Sequence, residues 1–165
     1  MEDIILSAGS NMGDRMLNLR TAVTLLDKSC GVVTAVSAVY ESEPWGFEST
    51  ALFYNIAIGM KSAMPPLALL DCLHRVESDM GRQRCDSTKR YSSRPIDIDI
   101  LYYGKRVIDG NRLKVPHRYI GERLFVLIPL KEIFPGWRDP VTGLTAAEMI
   151  ERCADKSALH QIAEW

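Results

Sequence analysis

Membrane-spanning segments are missing from this sequence, in which no stretch approaches the ~18 consecutive apolar residues of a transmembrane helix. The N-terminus, MEDIILSAGSN, places acids before a short apolar run, without the basic start and the length of a signal peptide. Pairs of the C-x-x-C type are also missing, which argues against a zinc site. In a chain of this kind we expect reduced thiols rather than a disulfide framework at Cys30, Cys72, Cys85 and Cys153. These absences predict a cytoplasmic protein with no membrane partner.

An excess of one charge sign is missing too, since 20 Lys and Arg residues face 21 Asp and Glu residues. This balance predicts no general attraction to nucleic acid, so an anion site needs a local cluster of positive charge. The G-x-x-x-x-G-K-[ST] motif of P-loop proteins is absent, as is a kinase-type glycine loop. The chain does have 165 residues and 47% hydrophobic content, which suit a single domain over residues 1–165.

Hydrophobic periodicity predicts the order strand, helix, strand, strand, helix, strand through residue 103. The strands cover residues 4–8, 32–40, 53–60 and 96–103, and the helices cover 15–29 and 65–81, with a loop at 41–52. Further helices are predicted near 121–133 and after Thr145, which forms a capping-box pattern with Glu148. This order is that of the ferredoxin-like βαββαβ core, an α+β fold with a mainly antiparallel sheet and helices packed on it. Because many functions share this fold, the function must be sought in particular residues.

Two aspartates alternate with isoleucines in the last of these strands. Side chains alternate across a strand, so Ile96, Ile98 and Ile100 point to one face. Asp97 and Asp99 then point to the other, with ~7 Å between their Cα atoms. Such carboxylates repel each other unless a cation lies between them, and magnesium takes oxygen ligands while leaving positions for phosphates. Two magnesium ions ~3.5–4 Å apart suit this pair; an amphipathic strand with solvated aspartates is the alternative.

Positive charge is concentrated just before this strand, where only Asp86 opposes Arg82, Arg84, Lys89, Arg90 and Arg94. Serine, threonine and glycine in the same segment predict a mobile loop, and arginine side chains suit phosphate oxygens. A flexible basic loop that leads into two carboxylates is what phosphate transfer from metal-ATP needs. A solvated basic loop without a function is the alternative interpretation.

Three residues can hold a flat ring. Phe53 and Asn55 have the same parity on one predicted strand, and Phe125 lies in a later segment. Aromatic rings stack on flat heterocycles, and an amide pairs with ring nitrogens and carbonyls. Core packing of the phenylalanines and an edge or turn position for Asn55 are the alternatives.

The histidines are few. His117 follows Pro116, whose fixed φ bends the chain and can present the imidazole and the nearby Arg123 to a ligand. An incidental surface position is the alternative for His117 and the expectation for His74 and His160.

Motifs in a fixed order along nearly the whole chain match those of one enzyme family. They are Gly9-Ser10-Asn11, Gly13-Asp14-Arg15, Tyr40 with Pro44-Trp45-Gly46, Phe53-Tyr54-Asn55, Glu77 with Gly81-Arg82-Gln83-Arg84, the block from Arg94 to Leu101, Val115-Pro116-His117, Glu122-Arg123 and Phe125-Val126-Leu127. The chain thereby resembles the 6-hydroxymethyl-7,8-dihydropterin pyrophosphokinase family. It departs from the family at Pro95, where threonine is usual.

The resemblance implies an enzyme of folate biosynthesis that transfers pyrophosphate from Mg-ATP, its co-substrate, to the hydroxymethyl group of 6-hydroxymethyl-7,8-dihydropterin and releases AMP. It implies two magnesium ions bound by Asp97 and Asp99. The implied ATP contacts are Glu77, Arg84, Arg94, Ile100, His117 and Arg123. The implied catalytic residues are Arg82, Arg84, Arg94, Asp97 and Asp99. The implied pterin contacts are Ser42, Trp45, Phe53, Asn55 and Phe125.

Two other classes of protein compete with this interpretation. A different metal-dependent nucleotidyl or phosphoryl transferase would use the same carboxylates with another acceptor and other products. A non-catalytic ferredoxin-like module that binds a ligand is the second. Such a module would not need the aspartates and the arginines in combination. No partner surface is evident in the sequence, so we expect a monomer that binds small molecules and no nucleic acid.

Overall fold

The computed structural model describes residues 1–46, 50–81 and 94–165. Within them the elements in chain order are β1 (Glu2–Ser10), α1 (Arg15–Ser29), β2 (Val32–Val36), β3 (Val39–Ser42), β4 (Phe53–Ser62), α2 (Pro66–Asp79), β5 (Asp97–Tyr103), β6 (Ile108–Asp109), β7 (Lys114–Val115), a 3₁₀ turn (Ile120–Glu122), α3 (Leu124–Ile133), α4 (Ala146–Arg152) and β8 (Leu159–Ala163). The order through β5 confirms the predicted ferredoxin-like core.

A six-stranded sheet forms the centre of the fold, in the order β5-β1-β4-β3-β8, with β2 also paired to β4. Every pairing in this sheet is antiparallel, as predicted. The strands β2 and β3 pair with successive parts of β4, while β6 and β7 form a separate two-stranded hairpin. β1 therefore lies between the predicted aspartate strand and the predicted ring-binding strand and pairs with both over most of its length.

The two faces of the sheet bury different helices because side chains alternate along β1. Ile4, Leu6 and Ala8 pack against the apolar sides of α1 and α2. Ile5 points the other way, into a second apolar cluster with α3 and α4. Towards the C-terminal end of β1 this second face carries Ser7 and Gly9, which are too small to fill the space. A cavity is left there, which Phe125 in the first turn of α3 also lines.

The helix ends follow the sequence signals. Asp14 caps α1 by accepting a hydrogen bond of 3.0 Å from the Leu17 amide. Thr145 and Glu148 form the reciprocal capping box at the start of α4. Leu19 and Leu26, seven residues apart on α1, are fully buried.

The predicted strand over residues 32–40 is interrupted in the structure. The Ser37 hydroxyl accepts a hydrogen bond of 2.9 Å from the Ala57 amide and donates one of 2.8 Å to the Ala38 carbonyl. A side chain thus replaces part of the backbone ladder and ends β2, after which the Ala38 amide donates to Glu132 on α3. The chain resumes as β3, which continues two residues beyond the predicted end of the strand, to Ser42.

The expectation of reduced thiols is wrong for one pair of cysteines. Cys30 ends α1 and Cys72 lies on α2, and the two form a disulfide with a Cα–Cα distance of 6.0 Å. The two helices lie side by side on one face of the sheet, which brings together cysteines that are 42 residues apart in the sequence. Cys153 is a buried free thiol, and Cys85 lies outside the described residues.

In the described part of the chain, no helix has the length and apolar character needed to cross a membrane.

Candidate active site

The aspartates of β5 lie on the cavity side of the sheet. Asp97 is opposite Gly9 and Asp99 is opposite Ser7 in the register with β1. The alternating residues Ile98 and Ile100 are 4% and 3% exposed and pack against α1 and α2. The prediction from strand alternation is therefore confirmed, and both carboxylates face one cavity.

A buried carboxylate on α2 supports this strand from its outer edge. Glu77 is 1% exposed and accepts a hydrogen bond of 2.9 Å from the Ile98 amide, between the two aspartates. Among the strands that the structure describes, β5 lies at the edge of the sheet, so that amide has no neighbouring strand from this set on its outer side. Glu77 thus fixes the backbone from which Asp97 and Asp99 project.

Two arginines and one histidine lie 3.3–4.0 Å from the aspartate carboxylates. The Arg94 guanidinium lies 3.3 Å from the Asp97 carboxylate. The Arg123 guanidinium and the His117 Nε2 atom lie 4.0 Å and 3.9 Å from the Asp99 carboxylate. The backbone of Arg94 is itself fixed, because its amide donates to the Asn11 side chain at 2.7 Å. The two arginines thus place positive charge beside the carboxylates.

His117 is neutral at pH 7 in this environment. Burial and the positive charge of Arg123 together lower the pKa of His117 from its ordinary 6.5 to about 4, against the opposing effect of Asp97. The Nδ1 atom accepts a hydrogen bond of 3.2 Å from the Tyr119 amide, so the Nε2 atom carries the proton. The imidazole therefore presents a neutral donor to the cavity.

Neutral side chains of β3 and β4 line the second half of the cavity, which Glu43 also reaches. The Asn55 amide nitrogen donates to the Ser42 hydroxyl at 2.8 Å and to the Tyr40 carbonyl at 3.1 Å. Asn55 is 2% exposed, so these bonds hold its amide in one orientation. Phe53 lies on the same face of β4, and both residues approach Gly9 of β1. The predicted common face of Phe53 and Asn55 is confirmed.

A cation–aromatic cluster joins the two halves. The Arg123 guanidinium carbon lies 4.4 Å from the centre of the Trp45 ring system, 5.0 Å from that of Tyr119 and 5.6 Å from that of Phe125. Trp45 and Tyr119 also contact each other, with ring centroids 5.4 Å apart. The Arg123 side chain is 9% exposed, and its buried Nε atom has no hydrogen-bond partner among the described residues.

One cavity of about 520 Å³ brings the described site residues together. All of the predicted contacts that the structure describes line it: Ser42, Trp45, Phe53, Asn55, Glu77, Arg94, Asp97, Asp99, Ile100, His117, Arg123 and Phe125. The predicted catalytic residues Arg82 and Arg84 lie outside the described residues.

Several lining residues were not found from the sequence. His74, expected to be incidental, lines the cavity one helical turn before Glu77, and this spacing on α2 was a usable signal. Arg112 and Lys114 reach it from the β6–β7 hairpin, and Tyr119 reaches it from the turn after His117. These residues gave no periodic signal because they lie in short connections whose position depends on the whole fold.

The donor set fits magnesium. In the part of the chain that the structure describes, no group of three or more His, Cys, Asp or Glu residues forms a closed metal cage. Asp97 and Asp99 offer carboxylate oxygens beside an open cavity, and magnesium is usually bound by one or two carboxylates together with water and substrate phosphates. Bound there, magnesium would neutralise charge that develops on phosphate oxygens.

Two carboxylates and buried arginines beside a neutral half that can hold a flat ring define a class of enzyme, the metal-dependent phosphate-group transferases. The chain matches the family described as 7,8-dihydro-6-hydroxymethylpterin-pyrophosphokinase over residues 5–135. Because this match covers most of the sequence, the chain belongs to the 7,8-dihydro-6-hydroxymethylpterin-pyrophosphokinase family.

Curated relatives agree with this assignment. The chain is 43% identical over 129 residues to the 2-amino-4-hydroxy-6-hydroxymethyldihydropteridine pyrophosphokinase of Bacillus subtilis, covering 78% of this chain and 75% of that protein. It is 36% identical over 141 residues to the enzyme of the same name from Porphyromonas gingivalis, covering 85% and 95%. It is also 41% identical over 133 residues to a folate synthesis bifunctional protein of Arabidopsis thaliana, covering 80% of this chain but only 27% of that protein.

Solved structures share the fold. The wild-type HPPK-DHPS of Plasmodium falciparum matches with a TM-score of 0.73 and 17% identity, over 92% of this chain and 44% of that chain. At this identity the likeness supports the fold alone. The chain thus spans less than half of this two-enzyme protein and about a quarter of the plant one.

Proposed function

We propose that this chain transfers the pyrophosphoryl group of ATP to the hydroxymethyl group of 6-hydroxymethyl-7,8-dihydropterin, a step of folate biosynthesis, and releases AMP. The observation that carries the proposal is a single cavity with two charged carboxylates at one side and an orientated Asn55 beside Phe53 at the other. Membership of the pyrophosphokinase family supports the same reaction.

The reaction is a displacement at the β-phosphorus of ATP. The hydroxyl oxygen of the pterin side chain forms a bond to the β-phosphorus, and the bond from that phosphorus to the oxygen shared with the α-phosphorus breaks. AMP leaves with the bonding electrons, and the hydroxyl proton passes to water, since we assign no side-chain base among the described residues. Positioning and charge neutralisation then supply most of the rate enhancement.

The carboxylate side is proposed to bind the polyphosphate. Asp97 and Asp99 would hold two magnesium ions, with Arg94 and Arg123 as charged phosphate contacts. The neutral Nε2–H of His117 would donate a hydrogen bond to a phosphate oxygen. Glu77 and Ile100 line the nucleotide end of the cavity in this proposal, while Arg82 and Arg84 stay predicted contacts outside the described residues.

The neutral side is proposed to bind the pterin. Phe53 and Phe125 would enclose the flat ring, and the Asn55 amide would pair with its polar edge. Ser42 sets the orientation of that amide, which supports its role as an indirect pterin contact. Trp45 would close the pocket from the loop between β3 and β4.

Product analysis tests the proposal directly. The protein is mixed with magnesium-ATP and 6-hydroxymethyl-7,8-dihydropterin, and nucleotides and pterins are separated and identified by mass. We expect AMP and pyrophosphorylated pterin in equal amounts, and neither without the pterin. ADP or free pyrophosphate would support another transferase, while no product and no magnesium-dependent ATP binding by folded protein would support a binding module.

We also propose that the protein is a monomer located in the cytoplasm, with small molecules as its partners. Light scattering after size-exclusion chromatography tests the first point, and cell fractionation tests the second. The Cys30–Cys72 disulfide makes the fractionation informative, because such bonds are rare in cytosolic proteins.

A further inference from the structure

Arg15 lies at an electrostatically unfavourable place. It is the first residue of α1, where unpaired amides give the helix end a partial positive charge. Its side chain is nevertheless only 28% exposed and turns back towards the sheet. Contacts with other parts of the molecule must therefore hold it there.

Three contacts hold the Arg15 guanidinium. One nitrogen donates to the Leu52 carbonyl at 2.8 Å and to the Glu41 carboxylate at 3.2 Å. The guanidinium also lies 3.7 Å from the centre of the Tyr54 ring. Bonds between a charged donor and an acceptor are among the stronger ones in proteins, and a stacked ring restricts the guanidinium plane.

The contacted residues flank one segment of the chain. Glu41 is near the end of β3, Leu52 directly precedes β4, and residues 43–52 connect the two strands. This segment, which we call the pterin loop, contains Trp45. Arg15 therefore bonds to Leu52 at one end of the pterin loop and to Glu41, in the strand just before its other end.

The contacts are made on the face of the sheet opposite to the cavity. Glu41 is directly across from Tyr54 in the register of β3 with β4, and so both point to the same side. Ser42, Phe53 and Asn55 alternate with them and point into the cavity. Arg15 does not line that cavity, so any effect on it passes through the backbone of the two strand ends.

We propose that Arg15 is a positioning residue that clamps both ends of the pterin loop and so sets the separation of Ser42 and Phe53 across the pterin site. This inference rests on the proposed function, because it takes the loop to enclose the pterin. Without the clamp the loop ends sample more arrangements, and their ordering on binding costs free energy. The nucleotide side receives no support from these contacts and keeps its affinity.

The experiment compares Arg15→Met, which removes charge and donors but keeps an apolar stem, with Arg15→Lys and Arg20→Met. Arg20 is an exposed arginine of the same helix, and its variant controls for loss of one positive charge. The KM for pterin, the KM for ATP and kcat are measured for each, with the thermal midpoint. Arg15→Met should raise the pterin KM about tenfold, as expected for the loss of a charge-assisted hydrogen bond. The ATP KM should stay within about twofold.

The other three variants should change the pterin KM less than Arg15→Met does. Arg15→Lys should recover part of the pterin affinity, because an ammonium group reaches one acceptor but not the stacked geometry. Arg20→Met should match the wild type. Glu41→Gln keeps the bond to Leu52 and should raise the pterin KM by a smaller factor, about threefold.

The outcomes separate this inference from the proposed function. A wild-type pterin KM for Arg15→Met overturns the clamp. So does an equal rise of both KM values together with a lower thermal midpoint, which would make Arg15 purely structural. If Arg15→Met does not fold, Glu41→Gln decides, and an unchanged pterin KM there overturns the proposal. If the wild type forms no pyrophosphorylated pterin, the proposed function itself fails.

Discussion

The two halves of the cavity are built in different ways. In the carboxylate half, formed by Asp97 and Asp99 with their surrounding cations, charged groups lie 3.3–4.0 Å apart. In the ring half, formed by Ser42, Phe53 and Asn55, the Asn55 amide is held by neutral hydrogen bonds of 2.8 and 3.1 Å. The ring half is therefore organised by neutral hydrogen bonds, whereas the described part of the carboxylate half is organised by longer contacts with charged and imidazole groups.

This difference has a physical origin. Neutral hydrogen bonds between buried groups cost little to form during folding, and so Asn55 can be orientated in advance. Two carboxylates that face one space repel each other, and tight pairing with arginine would occupy the oxygens that a metal needs. The described contacts of Asp97 and Asp99 with arginine lie at 3.3 and 4.0 Å, longer than a close charge-assisted hydrogen bond. Mutations in the two halves should then act on different steps.

The largest effect is expected from Asp97→Asn or Asp99→Asn. Each change removes a charged metal ligand, and we expect kcat to fall at least about a thousandfold, because metal ions supply several kcal/mol of charge stabilisation. Pterin binding, measured by titration, should change little, and circular dichroism should show an intact fold. Asp3→Asn is the matched control, since Asp3 is an exposed aspartate paired with Lys61, and neither residue lines the cavity. Near-wild-type turnover of either variant would show that the aspartate is no metal ligand.

An effect of intermediate size is expected in the ring half. Asn55→Ala should raise the pterin KM about tenfold, the cost of losing one or two buried hydrogen bonds. The ATP KM should stay constant. Ser42→Ala leaves the Asn55 amide bonded to the Tyr40 carbonyl and should have a smaller effect of the same kind. Equal rises of both KM values would contradict the separation of the two halves.

Local sequence patterns predicted the central residues of both halves. Alternation along β5 was enough to place Asp97 and Asp99 together, because the period of a strand is a local property. Parity on β4 placed Phe53 with Asn55 in the same way. In both cases the backbone geometry of one element determines the outcome.

Other features depend on contacts between distant segments. β8 carries polar residues such as His160 and Gln161 and was not predicted, because its formation depends on the open edge of β3. Ser37 ended a predicted strand because its hydroxyl meets Ala57 of β4. The disulfide requires that two helices pack side by side. None of these contacts leaves a periodic signal in the sequence.

The residue pair that joins the halves offers a finer test. Trp45 covers the Arg123 guanidinium, so a nucleotide that engages Arg123 should also stabilise the pterin loop. An unreactive magnesium-ATP analogue should tighten pterin binding of the wild type by a certain factor. We expect this factor to be about threefold smaller in Trp45→Leu, because the variant loses one cation–π contact. Calorimetric titration of pterin with and without the analogue measures this factor. Trp165→Leu, at the exposed C-terminus, is the control, and an unchanged factor in Trp45→Leu would separate the two halves completely.

The smallest effect is expected at Gly9 of β1, which lies against Asn55 and Phe53 in the ring half. A Cβ atom at Gly9 would lie 3.3 Å from the Asn55 Oδ1 atom and 3.4 Å from a ring carbon of Phe53. Gly9→Ala should therefore displace the Asn55 amide by a few tenths of an ångström, while its contact with Phe53 is an ordinary one. Losing part of the contacts of this amide should raise the pterin KM by about twofold. Gly136→Ala is the control, because nothing lies within 4 Å of the added atom. If Gly9→Ala keeps the wild-type pterin KM while Asn55→Ala loses affinity, the amide is fixed by its bonds to Ser42 and Tyr40 rather than by the space above Gly9. A change in the ATP KM would instead mean that the substitution shifts β1 relative to β5. A change in the ring half would then also displace the carboxylates.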